Sequence, residues 1–464
     1  EKMFNKEIYS SRRSALASKV KSGLILLLGN EEVGMNFRSN WYKFRQDSTF
    51  LYYVGIDLAG LAVLIDLDEN KTTLFGNELT IDDIVWTGPL ESLGDLAAKT
   101  GIQVVRPYKE LATELKTASL KSREVHFLPP YRDEHTLKLN EWLGTTPAAA
   151  QSAASRDLIR AVVSMRAYKQ PEEIAEMEKA VDISAEMHEY FMRTVKPGIK
   201  ELEIAGGMHG MAIGAGGDLS YPIILTSRGE TLHIHARDVP MPAGTMALCD
   251  AGAETAMHYA GDLTRTAPVN GKFSQLQKDM YQLILDIQMA TIDACKPGVP
   301  FKDVHALSGE LLLEGLKGFG IVKGDVKEAL ALDAHTLFFQ CGLGHMIGLD
   351  VHDMENLGEG YVGYTESEKK NMAFGWKSLR LGRALEPGFT ITVEPGVYFI
   401  PTLIDMWKAE NKLSDFINYT ELEKFRDFGG IRIEDNLLIT KDHYRILGSK
   451  MPPKTVADME AIQQ

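Results

Sequence analysis

The tripeptide Lys-Pro-Gly occurs at 196–198 and again one hundred positions later at 296–298, each time closing one helical pattern and preceding another. Before the first copy, Pro171 sits where a first helical turn tolerates a missing N–H, and Glu172 and Glu173 complement the helix dipole. Ile174, Met177, Val181, Met187 and Phe191 then recur at helical spacing with one longer gap. Before the second copy, Leu276, Met280, Leu283, Ile287 and Ala290 predict the matching stripe. The strings KPGIKELEIAGGM and KPGVPFKDVHALSG both resume with a polar pair and a further helical pattern. An echo on this scale predicts a duplicated half-domain whose two halves face each other. The competing reading is that Lys-Pro-Gly is only a common helix stop.

That duplicated region does not account for the whole chain. With 464 residues the sequence exceeds the size at which one core stops growing, which predicts two domains or three. Residues 1–155 alternate apolar stretches (Leu24 to Leu28, Leu61 to Ile65, Thr72 to Phe75, Gln103 to Val105) with polar helical pieces, the pattern of an α/β domain. The string GTTPAAAQSAAS at 144–155 is small and featureless. The expected organisation is an α/β domain at 1–155, a linker at 156–170 and a second domain at 171–464.

Charge and cysteine content narrow the function classes. A net charge of -14 repels nucleic-acid phosphates and favours small molecules or peptides as partners. No apolar run approaches the ~20 residues that span a bilayer, and the first residues lack the apolar core of a secretory signal. Cys249, Cys295 and Cys341 are odd in number and lack CxxC spacing, which supports neither a disulfide framework nor a zinc ribbon. A cytoplasmic protein with reduced thiols is the expectation.

Chemistry concentrates in the second domain. Two strand-like segments, MALCDAG and YAGDLTR, carry Asp250 and Asp262 beside small residues, so the two carboxylates are able to meet across a hairpin. Taken singly, each Asp-Gly neighbourhood also reads as a turn former. The glycine-rich segment CGLGHMIGLDVHD presents His345 and His352, and FTITVEPGVYF places Glu394 inside a β-branched strand. A carboxylate there costs several kcal/mol if buried unpaired, so it requires a cation, an arginine or a surface position. In GGIRIEDNLLIT, Arg432 and Glu434 alternate on one strand face, and a plain ion pair between them is the bland explanation. Four carboxylates and one imidazole make a hard ligand set for two divalent cations, manganese first, then zinc or cobalt, rather than copper. Paired metals ~3.5–4 Å apart share a hydroxide and polarise a peptide carbonyl, so hydrolysis is the natural use.

The ordered strings DAG, YAGDLTRTAPVNGKF, GLGHMIGLDVHD, TVEPGVYF and GIRIED resemble the pita-bread metallopeptidases, in the branch that contains aminopeptidase P and prolidase. FRQDSTFLYYVG at 44–55 is similar to a segment of that branch's N-terminal domain, which extends the resemblance over nearly the whole chain. The fold it implies is an α/β N-terminal domain followed by an α+β pita-bread domain with internal pseudo-twofold duplication. The activity it implies is hydrolysis of the Xaa-Pro bond, in peptides with proline at the second position or in dipeptides, by a bridging hydroxide. It further implies that Asp250 chelates one metal, Asp262 and Glu434 bridge both, and His345 and Glu394 bind the other. His233, Glu394, His352 and Arg432 resemble the family's catalytic residues, with His233 near the substrate carbonyl, His352 guiding substrate, Glu394 as proton shuttle and Arg432 beside the bridging glutamate. His258, in the connection between the two aspartates, is expected at the surface. Self-association into a homodimer or a higher homo-oligomer also rests on the resemblance.

Two features mark this chain within that pattern. Cys341 stands where the family carries a substrate-donating histidine, and a thiol is a far weaker donor. SLRLGRALEPG resembles the prolidase stretch whose arginine clamps a dipeptide's free carboxylate, which assigns that place to Arg380; a surface arginine in a basic helix with Lys377 and Arg383 is the alternative. Three rival functions fit the sequence less well. A metal-free binding module on the same fold should have lost the five ligands, and a creatinase-like amidinohydrolase does not need them. A Rossmann-type oxidoreductase is disfavoured because AIGAGGD and QCGLGH lack the required acidic partner.

Overall fold

The computed structural model describes residues 2–464, which divide into two compact units. The first contains residues up to Arg166 together with Asn356–Tyr361, and the second contains Ala167–Glu355 and Val362–Gln464.

In the first unit, strands Leu24–Leu28 (β1), Ala62–Asp66 (β2), Lys71–Phe75 (β3), Val104–Arg106 (β4) and Val125–His126 (β5) form one mixed sheet in the order β4-β3-β2-β1-β5. β1 and β2 are nearly all buried, which is why they read as unbroken apolar runs rather than alternating ones. Residues 156–170, expected as a linker, begin with the helix Arg156–Arg166. Leu158, Ile159, Val162 and Val163 on that helix are buried, and Arg166 donates to the Thr49 hydroxyl of the same unit at 2.9 Å. The compact unit thus runs past Ser155, because those side chains belong to its core.

The second unit carries the duplication. Helix Pro171–Thr194 leads through Gly198 into helix Glu201–Gly214, and helix Gln275–Ala294 leads through Gly298 into helix Phe301–Gly318. Gly198 and Gly298 have φ of 88° and 87°, a conformation open to glycine and strained for other residues. The turns agree beyond that torsion: Ile199 N–H donates to Lys196 and Val299 N–H to Lys296. Single bridges pair Lys200 with Pro240 and Pro300 with Ala384. The stripe predicted for the second long helix is rotated from the observed one. Met280 and Ile287 are buried, but Leu276 is 42% exposed and Met280, Tyr281, Ile284, Gln288 and Thr291 face the core instead. Polar residues are accommodated on the buried face because Gln288 Nε2 donates to Asp435 Oδ2 and the Thr291 hydroxyl donates to the Ile287 carbonyl of its own helix, which an apolar template cannot register.

The strands of the first half are Asp218–Leu219 (β6), Ile224–Thr226 (β7), Met246–Ala251 (β8), Ala253–Glu254 (β9) and Leu263–Pro268 (β10). Those of the second half are Thr390–Val393 (β11), Gly396–Tyr398 (β12), Gly430–Arg432 (β13), Asp435–Ile439 (β14) and Tyr444–Ile446 (β15). β8 lies between β7 and β10, and β14 between β11 and β15. The antiparallel pair β8–β10 sets Asp250 opposite Thr264, and the pair β11–β14 sets Val393 opposite Asp435. A bridge between Thr264 and Glu434 joins the two pairs. That seam is where the charged residues gather.

Candidate metal centre

Each half supplies two carboxylates to the seam. Asp250 lies near the end of β8 and Asp262 just before β10, while Glu394 follows β11 and Glu434 precedes β14. Backbone contacts hold every position. Asp262 N–H donates to Asn436 Oδ1 at 3.0 Å, and Asn436 Nδ2 donates back to the Asp262 carbonyl at 2.6 Å. Glu434 N–H donates to the Thr264 carbonyl at 3.0 Å, and the Thr264 hydroxyl donates to Glu434 Oε1 at 2.8 Å.

His345 reaches the seam from a loop laid along β11. Its N–H donates to Thr392 Oγ1 at 3.1 Å, and Thr392 N–H donates to its carbonyl at 2.9 Å. Glycine is required beside it, because a Cβ on Gly344 would sit 1.9 Å from the Thr392 carbonyl oxygen. The His345 Nδ1–H donates to the Met346 carbonyl at 2.8 Å, which fixes the tautomer and turns Nε2 inward. Nε2 then lies 3.2 Å from Asp262 Oδ2 and 3.6 Å from Glu394 Oε2.

Ligand atoms of Asp262, His345, Glu394 and Glu434 all fall within 4.8 Å of one another. Asp250 stands beside this group rather than in it. The Tyr221 hydroxyl lies between the two aspartates, 2.5 Å from Asp250 Oδ1 and 2.7 Å from Asp262 Oδ1. The other Asp250 oxygen accepts from Arg432 Nη2 at 2.9 Å. Arg432 also donates to the Tyr398 hydroxyl at 2.9 Å and the Leu232 carbonyl at 3.3 Å. The ion pair that strand alternation suggested for Arg432 and Glu434 is therefore replaced by one between Arg432 and Asp250.

So much buried negative charge is unfavourable without a cation. Burial, opposed by Arg432 and reinforced by Asp262 and Glu394, pushes the Asp250 carboxyl up to about 7. Burial and the charges of Asp262, Glu394 and Asp250 also push Glu434 well up. Within the Asp262–His345 pair, burial is outweighed by mutual attraction, so the carboxyl is lowered and the imidazole raised. Glu434 Oε2 is buried without a hydrogen-bond partner. An oxygen-rich pocket with a spare acceptor and crowded carboxylates suits divalent cations, and the residues fit the metals expected of them.

The remaining site residues border this cluster. The His352 ring packs edge-on to His345, with centroids 4.3 Å apart, and its Nδ1 lies 3.0 Å from Glu355 Oε2. Glu355 also forms an ion pair with Arg380. No helix forms at 376–383, so Arg380 belongs to an irregular loop. His233 is exposed on the segment whose Leu232 carbonyl meets Arg432. Burial, then the charge of Arg432, lowers its pKa, with Glu394, His352 and Arg380 also within electrostatic reach. Cys341 is partly buried, and burial pushes its thiol up to about 12. His258 differs from expectation: it is 8% exposed, with φ of 70° and Nδ1 2.6 Å from Glu254 Oε1. The carboxylate draws that ring inward.

Sequence reading did not single out Tyr221, Thr264, Asn436 or Glu355. A Thr and an Asn on strand faces flanking two acids are the only cue, and Tyr221 in DLSYPIIL offers none.

Comparison with known proteins agrees with this geometry. The model of metallopeptidase family M24 matches residues 175–441, and that of the aminopeptidase P N-terminal domain matches residues 9–126. The chain is 31% identical to the Xaa-Pro dipeptidase of Homo sapiens over 452 residues, 95% of this chain and 89% of that protein. It is 32% identical to a probable Xaa-Pro aminopeptidase of Sordaria macrospora, covering 96% of this chain and 92% of that one. Solved structures of Escherichia coli aminopeptidase P, including a complex with the inhibitor Pro-Leu and a zinc-substituted form with product, superpose with a TM-score of 0.81 at 28% identity. These matches cover 99% of this chain and 98% of the other. With a cluster of carboxylates and a histidine on a seam between duplicated halves and both domains matched, the chain belongs to metallopeptidase family M24, in the aminopeptidase P and prolidase branch.

Proposed function

We propose that this protein is an exopeptidase that hydrolyses the Xaa-Pro bond at the N-terminus of peptides or in dipeptides, with two divalent cations held by Asp250, Asp262, His345, Glu394 and Glu434. The observation that carries the reading is the convergence of Asp262, His345, Glu394 and Glu434 from both halves onto one buried cluster. Asp250, Asp262, His345, Glu394 and Glu434 would together hold the cations, with Asp250 beside the cluster of the other four. Manganese is the first candidate, with zinc or cobalt as alternatives. When bound, such a pair lowers the pKa of a water and polarises a peptide carbonyl.

The chain's own residues supply the rest. Arg432 holds Asp250 in place through one oxygen and leaves the other facing Tyr221. Glu394, less buried than Glu434, is placed to take the proton of the attacking water and pass it to the leaving proline nitrogen. His233 donates to the substrate carbonyl from the exposed side of the site. His352, stacked edge-on against His345, steers the substrate from the opposite loop. Arg380 captures a dipeptide's free carboxylate, and Cys341 offers only a weak donor to the bound peptide.

Turnover of Xaa-Pro peptides with manganese and with chelator tests the reading, together with Asp262→Ala. Activity without metal, or undiminished in that variant, would overturn it. Product profiles on Xaa-Pro and Xaa-Pro-Pro-Ala separate a dipeptidase from an aminopeptidase. A metal-free binding module is the second reading, favoured only by Cys341; peptide capture without any bound divalent ion would establish it. The protein is further proposed to be a cytoplasmic homodimer or higher homo-oligomer, which a sizing experiment giving only monomer would refute in its second part. Among the described residues no helix is long and apolar enough to cross a membrane.

A further inference from the structure

Glu355 is a carboxylate near the site that touches both of the residues assigned to substrate guidance. Its Oε2 lies 3.0 Å from His352 Nδ1, and its Oε1 pairs with the Arg380 guanidinium. Hydrogen bonding to His352, with the charges of His352, Arg380 and His345, outweighs partial burial and lowers its pKa, so it is an anion at neutral pH. The side chains of His352, Glu355 and Arg380 are 32%, 44% and 36% exposed, which leaves the trio open to a ligand. Arg380 and His352 also lie within electrostatic reach of His233, as do Glu394 and Arg432, so the trio looks onto the same space as the metal cluster.

A guanidinium already paired with a carboxylate is not a vacant carboxylate receptor. We propose that Glu355 is an internal carboxylate that occupies Arg380 until the free C-terminus of a short substrate or product exchanges with it, so that Glu355 sets the preference between free-acid and extended substrates. The inference rests on the assignment of Arg380 as the carboxylate clamp. On exchange, Arg380 trades one carboxylate for another and no proton or covalent bond changes hands. Glu355 keeps its contact with His352, so the released side chain remains anchored at one oxygen. The ligand's own negative charge is repelled by Glu355 as it arrives, and this penalty is absent for an amide or for a peptide that continues past proline.

The pair is partly exposed, so the effect expected from removing the competing charge is modest, about three- to five-fold. The test compares Ala-Pro with Ala-Pro-amide as substrates of the manganese-loaded protein, and L-proline with L-prolinamide as calorimetric ligands. Glu355→Gln should lower KM for Ala-Pro and tighten L-proline by about three- to five-fold, with both amides changed less than two-fold. In an Arg380→Met background the same substitution should have no acid-selective effect. Acid and amide shifting together would show that Glu355 acts only through His352 and would overturn the proposal, as would no shift at all. The Xaa-Pro reading fails separately, through absence of turnover by the unsubstituted protein. In that case the calorimetric comparison of L-proline with L-prolinamide still decides whether Glu355 competes at Arg380.

Discussion

Substituting Arg265 by methionine removes a fully buried guanidinium that lies behind the metal cluster rather than in it. Arg265 donates from Nη2 to Asp435 Oδ1 at 2.8 Å, from Nη1 to the Thr264 and Glu434 carbonyls at 2.9 and 2.8 Å, and from Nε to the Pro453 carbonyl at 3.1 Å. Removing one partner of a buried ion pair costs about 3–5 kcal/mol. Here Asp435 keeps Lys454 and Gln288, both 2.8 Å from its Oδ2, and the two carbonyls keep their mutual backbone bonds. The loss therefore falls at the lower end, about 3 kcal/mol. Lys454→Met removes a partner that is 15% exposed and leaves Arg265 in place, so it should cost less, about 1.5 kcal/mol. A chain of two units need not unfold in one step, so the assay is hydrogen exchange at Leu263–Pro268 and Asp435–Ile439 in chelator-treated protein, read as a change in protection. Competition with a chelator for a divalent ion should show weaker retention in Arg265→Met, because the Glu434 carbonyl loses one of its two donors. A cost below about 1 kcal/mol, or a larger cost for Lys454→Met, would refute the view that Arg265 is the keystone of this network.

Other outcomes follow from single contacts. Tyr221→Phe should destabilise chelator-treated protein by about 1.5–3 kcal/mol in thermal unfolding, with a smaller deficit when manganese is added, since the hydroxyl separates two carboxylates; equal deficits in both states would contradict this. Cys341→His should raise kcat on Xaa-Pro substrates by about 10-fold or more by supplying a stronger donor, and an unchanged kcat would remove Cys341 from the substrate's surroundings. Burial lowers His188 to about 4, His305 to about 3 and His335 to about 4. Unfolded histidine titrates near ~6.5, so below that pH the unfolded chain takes up protons that the folded chain refuses. Stability is then full above about pH 6.5 and falls toward about pH 4, by about 1.4 kcal/mol per pH unit for each group. Neither His335 ring nitrogen has a hydrogen-bond partner, so His335→Leu should flatten the slope of stability against pH, read from urea melts at several pH values, by one such increment; an unaltered slope would show that His335 is hydrated.

The carboxylates that gather at the seam are legible because an acid in an apolar strand needs a reason, and Glu394 and Glu434 each interrupt such a run. The Lys-Pro-Gly turns were legible because their glycines serve a backbone torsion that local sequence encodes. What escaped depends on partners distant in the chain. Tyr221 gains its place from aspartates 29 and 41 positions away, and Asn436 from one 174 positions away. The second helix stripe was misread because Gln288 and Thr291 are buried with polar partners, Gln288 on Asp435 across 147 positions. His258 is a different case: its Glu254 partner is only four positions away, but the pairing depends on how the intervening turn folds. The helix at 156–166 resembled a tether because composition marks where small residues end, not where a core does.

The bridge between Thr264 and Glu434 has a consequence for how the molecule comes into being. The acidic cluster draws on positions from 262 to 434, and its final member arrives after most of the chain has been made. During synthesis the first half therefore emerges with two aspartates whose counterparts do not yet exist. Tyr221, from the same half, lies between them and shields each from the other in that interval. A divalent ion held by the four clustered side chains would therefore be retained only once the last strands dock, and its release on mild heating would report loss of register between the halves.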